Sequence, residues 1–153
     1  MTSNFHKYIL CLLVPVLFFS CKKKKKEAAT VQEPPTIEIV SLSPLNVKEF
    51  KDSIIIVIKY KDVNGDLGDE NPDELSLEIK DSRLPKADYY HLQPLAPDIG
   101  KDIPIEGEVR IKLNSMFLLG AGTIEQSILT IKLKDRAGTW SNEATAQPLT
   151  ITQ

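Results

Sequence analysis

The sequence predicts an all-β fold: two antiparallel sheets packed as a sandwich of about seven short strands, set behind an N-terminal leader and a flexible tether. Three observations carry that prediction. Apolar residues recur with a period of two through most of residues 36–153, the spacing of a strand with one face buried. Gly, Pro, Asn and Asp punctuate the apolar runs at the short intervals of an all-β domain. No stretch has a convincing helical period; the one contender, LNSMFLLGAG (113–122), is interrupted by glycines and reads as a loop with an apolar plug.

The elements follow in order. TIEIVSL (36–42) alternates at its start, and SIIIVIKY (53–60) is β-branched and apolar on both faces, the pattern of a buried central strand. ELSLEIKD (74–81) turns Leu75, Leu77 and Ile79 one way and Ser76, Glu78 and Lys80 the other; ADYYHLQPL (87–95) is a weaker candidate. EVRIKLN (108–114) sends Val109, Ile111 and Leu113 inward, and SILTIKLKD (127–135) does the same with Leu129, Ile131 and Leu133. EATAQPLTIT (143–152) closes the chain, with Pro148 marking an edge strand. Each inward Ile, Leu or Val stabilises by roughly 1.5–3 kcal/mol when buried, enough for a core that needs no disulfide.

The N-terminus is of another kind. MTSNFHKY (1–8) precedes ILCLLVPVLFF (9–19), an apolar run with the length of a signal-peptide core and too short for a bilayer, which needs about 20 residues. LFFSC (17–21) then sets a small Ser before a Cys and resembles the lipobox of bacterial lipoproteins. That resemblance implies a signal peptide over 1–20, cleavage before Cys21, and lipidation of Cys21 by diacylglycerol, with acyl chains such as palmitate. The several chains together give stable anchoring at about 0.8 kcal/mol per buried CH₂. Cys11 falls in the removed segment, so no disulfide remains to be made. KKKKKEAATVQEPP (22–35) has no apolar period, so residues 21–35 read as a lipidated Cys and solvated Lys-rich tether. A Lys run after an apolar segment favours cytoplasmic retention; the lipobox outweighs it.

Residues 36–153 carry 13 Lys and Arg against 19 Asp and Glu, a net charge of −6. That balance excludes nucleic acid as the expected partner, because phosphate binding needs a basic face.

DVNGDLGDENPD (62–73) is the most pointed stretch. Asp62, Asn64, Asp66 and Asp69 form a candidate calcium-ligand set, since calcium accepts six to eight oxygens at flexible angles. Asp135, at another strand end, is expected at the same end of the sandwich. The pattern argues against an EF-hand, whose sixth position requires Gly and here holds Leu67. The same residues also read as a turn, with Asn64-Gly65 favouring positive φ and Asp62 and Asp66 accepting backbone N–H groups. Trp140, the single Trp, is the candidate ligand contact by stacking, or else a residue that caps the sandwich. Alternation puts Tyr90 on the opposite face from Tyr89 and His91, one face toward the core and the other at the rim. His91 is the one His after Cys21, and no G-x-S-x-G elbow accompanies it.

LKDRAGTWSNEAT (133–145) resembles the F–G turn of bacterial Ig-like and fibronectin-III-like domains. Nearly the whole mature chain resembles the small lipoproteins of Bacteroidota, which share an SCKK-like start and a DxNGDLG-type loop after an apolar strand. The resemblance implies an antiparallel Ig-like sandwich and an envelope location, not an activity. The Cys…Trp…Cys core of antibody domains and a Tyr opening the 127–135 strand are both missing. The resulting expectation is an outer-membrane, lipid-anchored, non-enzymatic binding or accessory module with an envelope protein or polysaccharide as partner. A structural envelope protein without a specific ligand is the alternative, and a small hydrolase the weaker third.

Overall fold

The computed structural model describes residues 33–97 and 102–153. The predicted signal peptide (1–20), Cys21 and nearly all of the tether lie outside the described residues. Ten strands, and no helix, organise the described residues: β1 (Thr36–Ser43), β2 (Asn46–Lys48), β3 (Ile54–Asp62), β4 (Leu77–Asp81), β5 (Asp88–Tyr90), β6 (Ile105–Leu113), β7 (Ile124–Ser127), β8 (Leu129–Leu133), β9 (Ala144–Thr145) and β10 (Leu149–Thr152). They form one sheet ordered β1-β3-β6, a second ordered β5-β4-β8-β9, and a short third ordered β2-β10-β7. Every pairing is antiparallel except that of β2 with β10.

β3 is central in its sheet, as its doubly apolar sequence predicts. Ile54, Ile56 and Ile58 point inward and are fully buried, while Val57 on the other face is nearly so. They pack in one cluster with Leu77 and Ile79 of β4, Leu129, Ile131 and Leu133 of β8, and Val47, Leu149 and Ile151 of the third sheet. The inner faces of all three sheets therefore close on one core, the arrangement of a sandwich.

The chain has ten strands where the sequence predicts about seven, because two predicted strands change sheets midway. SILTIKLKD divides at Ile128, with Ser127 pairing to β10 and Leu129 to β4. EATAQPLTIT divides near Pro148, which has no N–H to donate; Ala144 stays with β8 and Leu149 moves to β7. The three-residue β2 is the other addition. β5 keeps only Asp88–Tyr90 of the weaker candidate.

β1 is antiparallel to β3, with Thr36 opposite Lys61 and Ser43 opposite Ile55. The chain therefore enters the domain at the end where β3 runs into the acidic loop. Val40 interrupts the register between Ile39 and Ser41 and is half exposed, the signature of a bulge.

Candidate functional site

The acidic loop starts where β3 ends, on Asp62. Its side chain is 2% exposed and accepts three backbone N–H bonds, from Asn64 at 3.1 Å, Asp66 at 2.7 Å and Leu67 at 3.1 Å. One carboxylate thus folds the chain back over five residues, an extended Asx turn. Gly65 and Gly68 take φ of +72° and +80°. A Cβ on Gly65 would lie 2.2 Å from the Ile103 carbonyl oxygen, and one on Gly68 2.3 Å from that of Gln93. Both positions therefore need glycine for conformation and for space.

The loop is stitched to the β8–β9 turn. Fully buried Leu67 forms an isolated bridge with Asp135. The Arg136 N–H donates to the Asp66 carbonyl at 2.9 Å, and its guanidinium reaches the Gly68 and Gly65 carbonyls at 3.3 and 3.4 Å. On the other side Leu95 N–H donates to Leu67 O, and Asp69 N–H to Leu92 O. Asp135 is 2% exposed and accepts the Thr139 N–H at 2.6 Å, closing the β8–β9 turn.

Asp62, Asp66 and Asp135 are thereby gathered at one end of the sandwich. Burial pushes the Asp66 carboxyl up, and the charges of Asp135 and Asp62 push it further; Arg136 and the Ala137 N–H oppose them. Burial raises Asp135 as well, against the Thr139 N–H and with help from Asp62.

Two of the predicted calcium ligands, Asp62 and Asp69, hold backbone N–H groups. Asp62 holds three backbone N–H groups, and Asp69 Oδ1 accepts the Asn71 N–H at 2.8 Å while Asn71 Oδ1 accepts that of Asp73 at 3.1 Å. Among the described residues no group of three or more His, Cys, Asp and Glu side chains is arranged to hold a metal ion. The hydrogen bonds of the Asp62 and Asp69 carboxylates are those of the turn reading.

Trp140 stands on the outward face of the second sheet, not across its open end. It bridges to Lys134, and its half-buried ring meets Tyr89 edge-on at 6.3 Å and 62°. Lys132 and Lys134 lie 5.3 and 5.6 Å from the ring centroid, within cation–π range. The register explains the grouping: Tyr89, Glu78 and Lys132 occupy one row across β5, β4 and β8. Glu78 pairs with Lys132 at 2.9 Å, and its hydrogen bond to the Tyr89 hydroxyl pushes that phenol above its ordinary range.

A third cluster has no counterpart in the sequence reading. Arg83, its side chain only 12% exposed, pairs with Asp81 at 2.7 Å and Glu125 at 2.6 Å, and Ser127 donates to Asp81 at 2.7 Å. Burial raises the Asp81 carboxyl, but the Arg83 and Ser127 hydrogen bonds outweigh it and hold the group below its usual range. The sequence shows only the charges of Asp81, Arg83 and Glu125, and no local pattern pairs them. Beside this cluster a cleft of about 410 Å³ opens toward Tyr90, Lys112, Asn114 and Met116. His91 Nδ1 lies 3.1 Å from the Glu74 carbonyl oxygen.

Fold and site define a class: an all-β, sandwich-like domain with an acid-knotted loop at one end and an aromatic, lysine-flanked face on one sheet. No family model, curated protein or solved structure matches the chain.

Proposed function

We propose that this chain is a lipid-anchored envelope protein whose β domain is a non-enzymatic binding module, with Trp140 at its contact surface. The leader, the lipobox at Cys21 and the Lys-rich tether support the anchor. The observation that carries the binding role is the Trp140 face. Tyr89 is 48% exposed and meets Trp140 beside two lysines on an outward sheet surface. Rings presented beside cations suit stacking and polar contacts together, the chemistry of a polysaccharide or a protein partner.

The alternative, a structural role without a specific ligand, also has an observation in its favour. Trp140 already meets Tyr89 and both lysines, so its ring is well used within the domain. Capture from envelope extracts separates the two. Wild-type protein retains a protein or glycan that Trp140→Ala loses, if the face binds. Equal retention by both proteins, or enrichment of nothing by wild type, supports the structural role.

A further inference from the structure

β6 is the free edge of the β1-β3-β6 sheet. All nine of its residues pair with β3, and among the described residues no other segment hydrogen-bonds to its backbone. Its inward row is Ile105, Gly107, Val109, Ile111 and Leu113, opposite Asp62, Tyr60, Ile58, Ile56 and Ile54 of β3. All five β3 residues are buried, but of the β6 row only Ile111 is; the other four are half covered. A long unpaired edge beside an incompletely covered apolar row is a template for another strand.

The outward row selects which strand. It reads Glu106, Glu108, Arg110, Lys112, all exposed: two acids, then two bases. Within the chain the acids have partners, Glu108 opposite Lys59 and Glu106 opposite Lys61, the latter pair at 3.3 Å. The bases do not. Arg110 and Lys112 lie opposite Val57 and Ile55, and neither forms an ion pair among the described residues.

We propose that β6 is a homodimer interface, in which two copies pair β6 to β6 antiparallel about a twofold axis at Val109. Glu106 then faces Lys112 of the second copy and Glu108 faces its Arg110, each pair repeated by the symmetry of an isologous contact. The unpartnered bases gain their countercharges, as opposite-charge cross-strand pairs require. Ile105 meets Leu113, Gly107 meets Ile111 and Val109 meets Val109, so the half-covered row gains cover from its own copy. Other registers fail. A slip of two residues sets Glu108 on Glu108 or Arg110 on Arg110 at the axis, and parallel pairing sets like on like along the whole strand. The product is a six-stranded sheet with no free β6 edge.

The test uses the full chain in mild detergent, with sedimentation velocity at low salt. Wild type is expected to sediment as a dimer. Glu106→Lys with Glu108→Lys, and Arg110→Glu with Lys112→Glu, each replace four opposite-charge pairs by like-charge ones, weakening association at least about tenfold. Mixing the two double variants restores a dimer, because one now presents four bases and the other four acids. These side chains are exposed, and circular dichroism of each variant checks that it keeps its strands. A wild-type dissociation constant weaker than about 0.1 mM, unchanged dimerisation in either double variant, or no recovery on mixing overturns the proposal.

Discussion

Asp62 is the residue on which the acidic loop turns, and Asp62→Ala is the sharpest perturbation of it. The substitution strips the acceptor from three backbone N–H groups, those of Asn64, Asp66 and Leu67. Hydrogen bonds to charged groups contribute about 1.5–3 kcal/mol each, and a buried donor left alone costs a similar desolvation penalty. Leu67 is fully buried, so its N–H cannot turn to water; Asn64 is partly exposed and its N–H can. Removing a negative charge beside Asp66 and Asp135 returns a little of the loss. The net expectation is about 3–5 kcal/mol, a fall in Tm of roughly 10–20 °C for a domain of this size. Asp62→Asn keeps one acceptor oxygen and should lose about half as much. Urea unfolding followed by circular dichroism reads both. A loss under about 1 kcal/mol in Asp62→Ala would show that the loop is held by something other than this carboxylate.

The same end of the domain makes a pH prediction. Asp135 is raised above its ordinary 3.8, so the folded protein binds that proton more tightly than the unfolded chain does. Its contribution is complete below pH 3.8 and is lost as pH rises through the raised value; Asp66 has the same sign. Asp135→Asn, which keeps an acceptor for Thr139, should therefore gain stability over wild type as pH climbs out of the acid range and gain nothing below it; urea midpoints across pH check this. Gly65→Ala and Gly138→Ala separate space from conformation. Gly138 has φ of +87° and no atom within 4 Å of where a Cβ would stand, so its cost is the left-handed penalty of about 1–2 kcal/mol. Gly65→Ala adds a backbone clash at 2.2 Å and should cost clearly more in the same urea assay. Arg83→Met leaves Asp81 buried without its guanidinium and should cost about 3 kcal/mol, and thermal melts will show no such loss if the cluster is ornamental.

Period-two patterning made β3, β4, β6 and β8 legible, because each turns one row of apolar side chains toward the core in an order the sequence displays directly, although Leu75, expected inward, is exposed ahead of β4 and only Ile111 of the β6 row is buried. It did not reveal the changes of sheet at Ile128 and Pro148. Alternation tells which side chains face inward, not which neighbour accepts the backbone bonds. In the loop, Asp62 could be read because Asx turns are local. The meeting of Asp66 with Asp135 rests on two strand ends far apart in the chain, and only the shared position at a strand terminus hinted at it. Asp69 fell in the predicted ligand set by spacing alone, while its backbone N–H ties it to Leu92. Alternation separates Tyr89 from Tyr90, but the contact of Tyr89 with Trp140 follows from the lateral register of β5, β4 and β8, which no local pattern encodes.

Lipid anchoring of the β domain is the claim on which the proposed role turns, and metabolic labelling with palmitate tests it most directly. Wild-type protein should carry the label and pellet with membranes, while Cys21→Ser should lose the label and leave the membrane fraction. An unlabelled wild type, or a Cys21→Ser variant that still pellets with membranes, would contradict it.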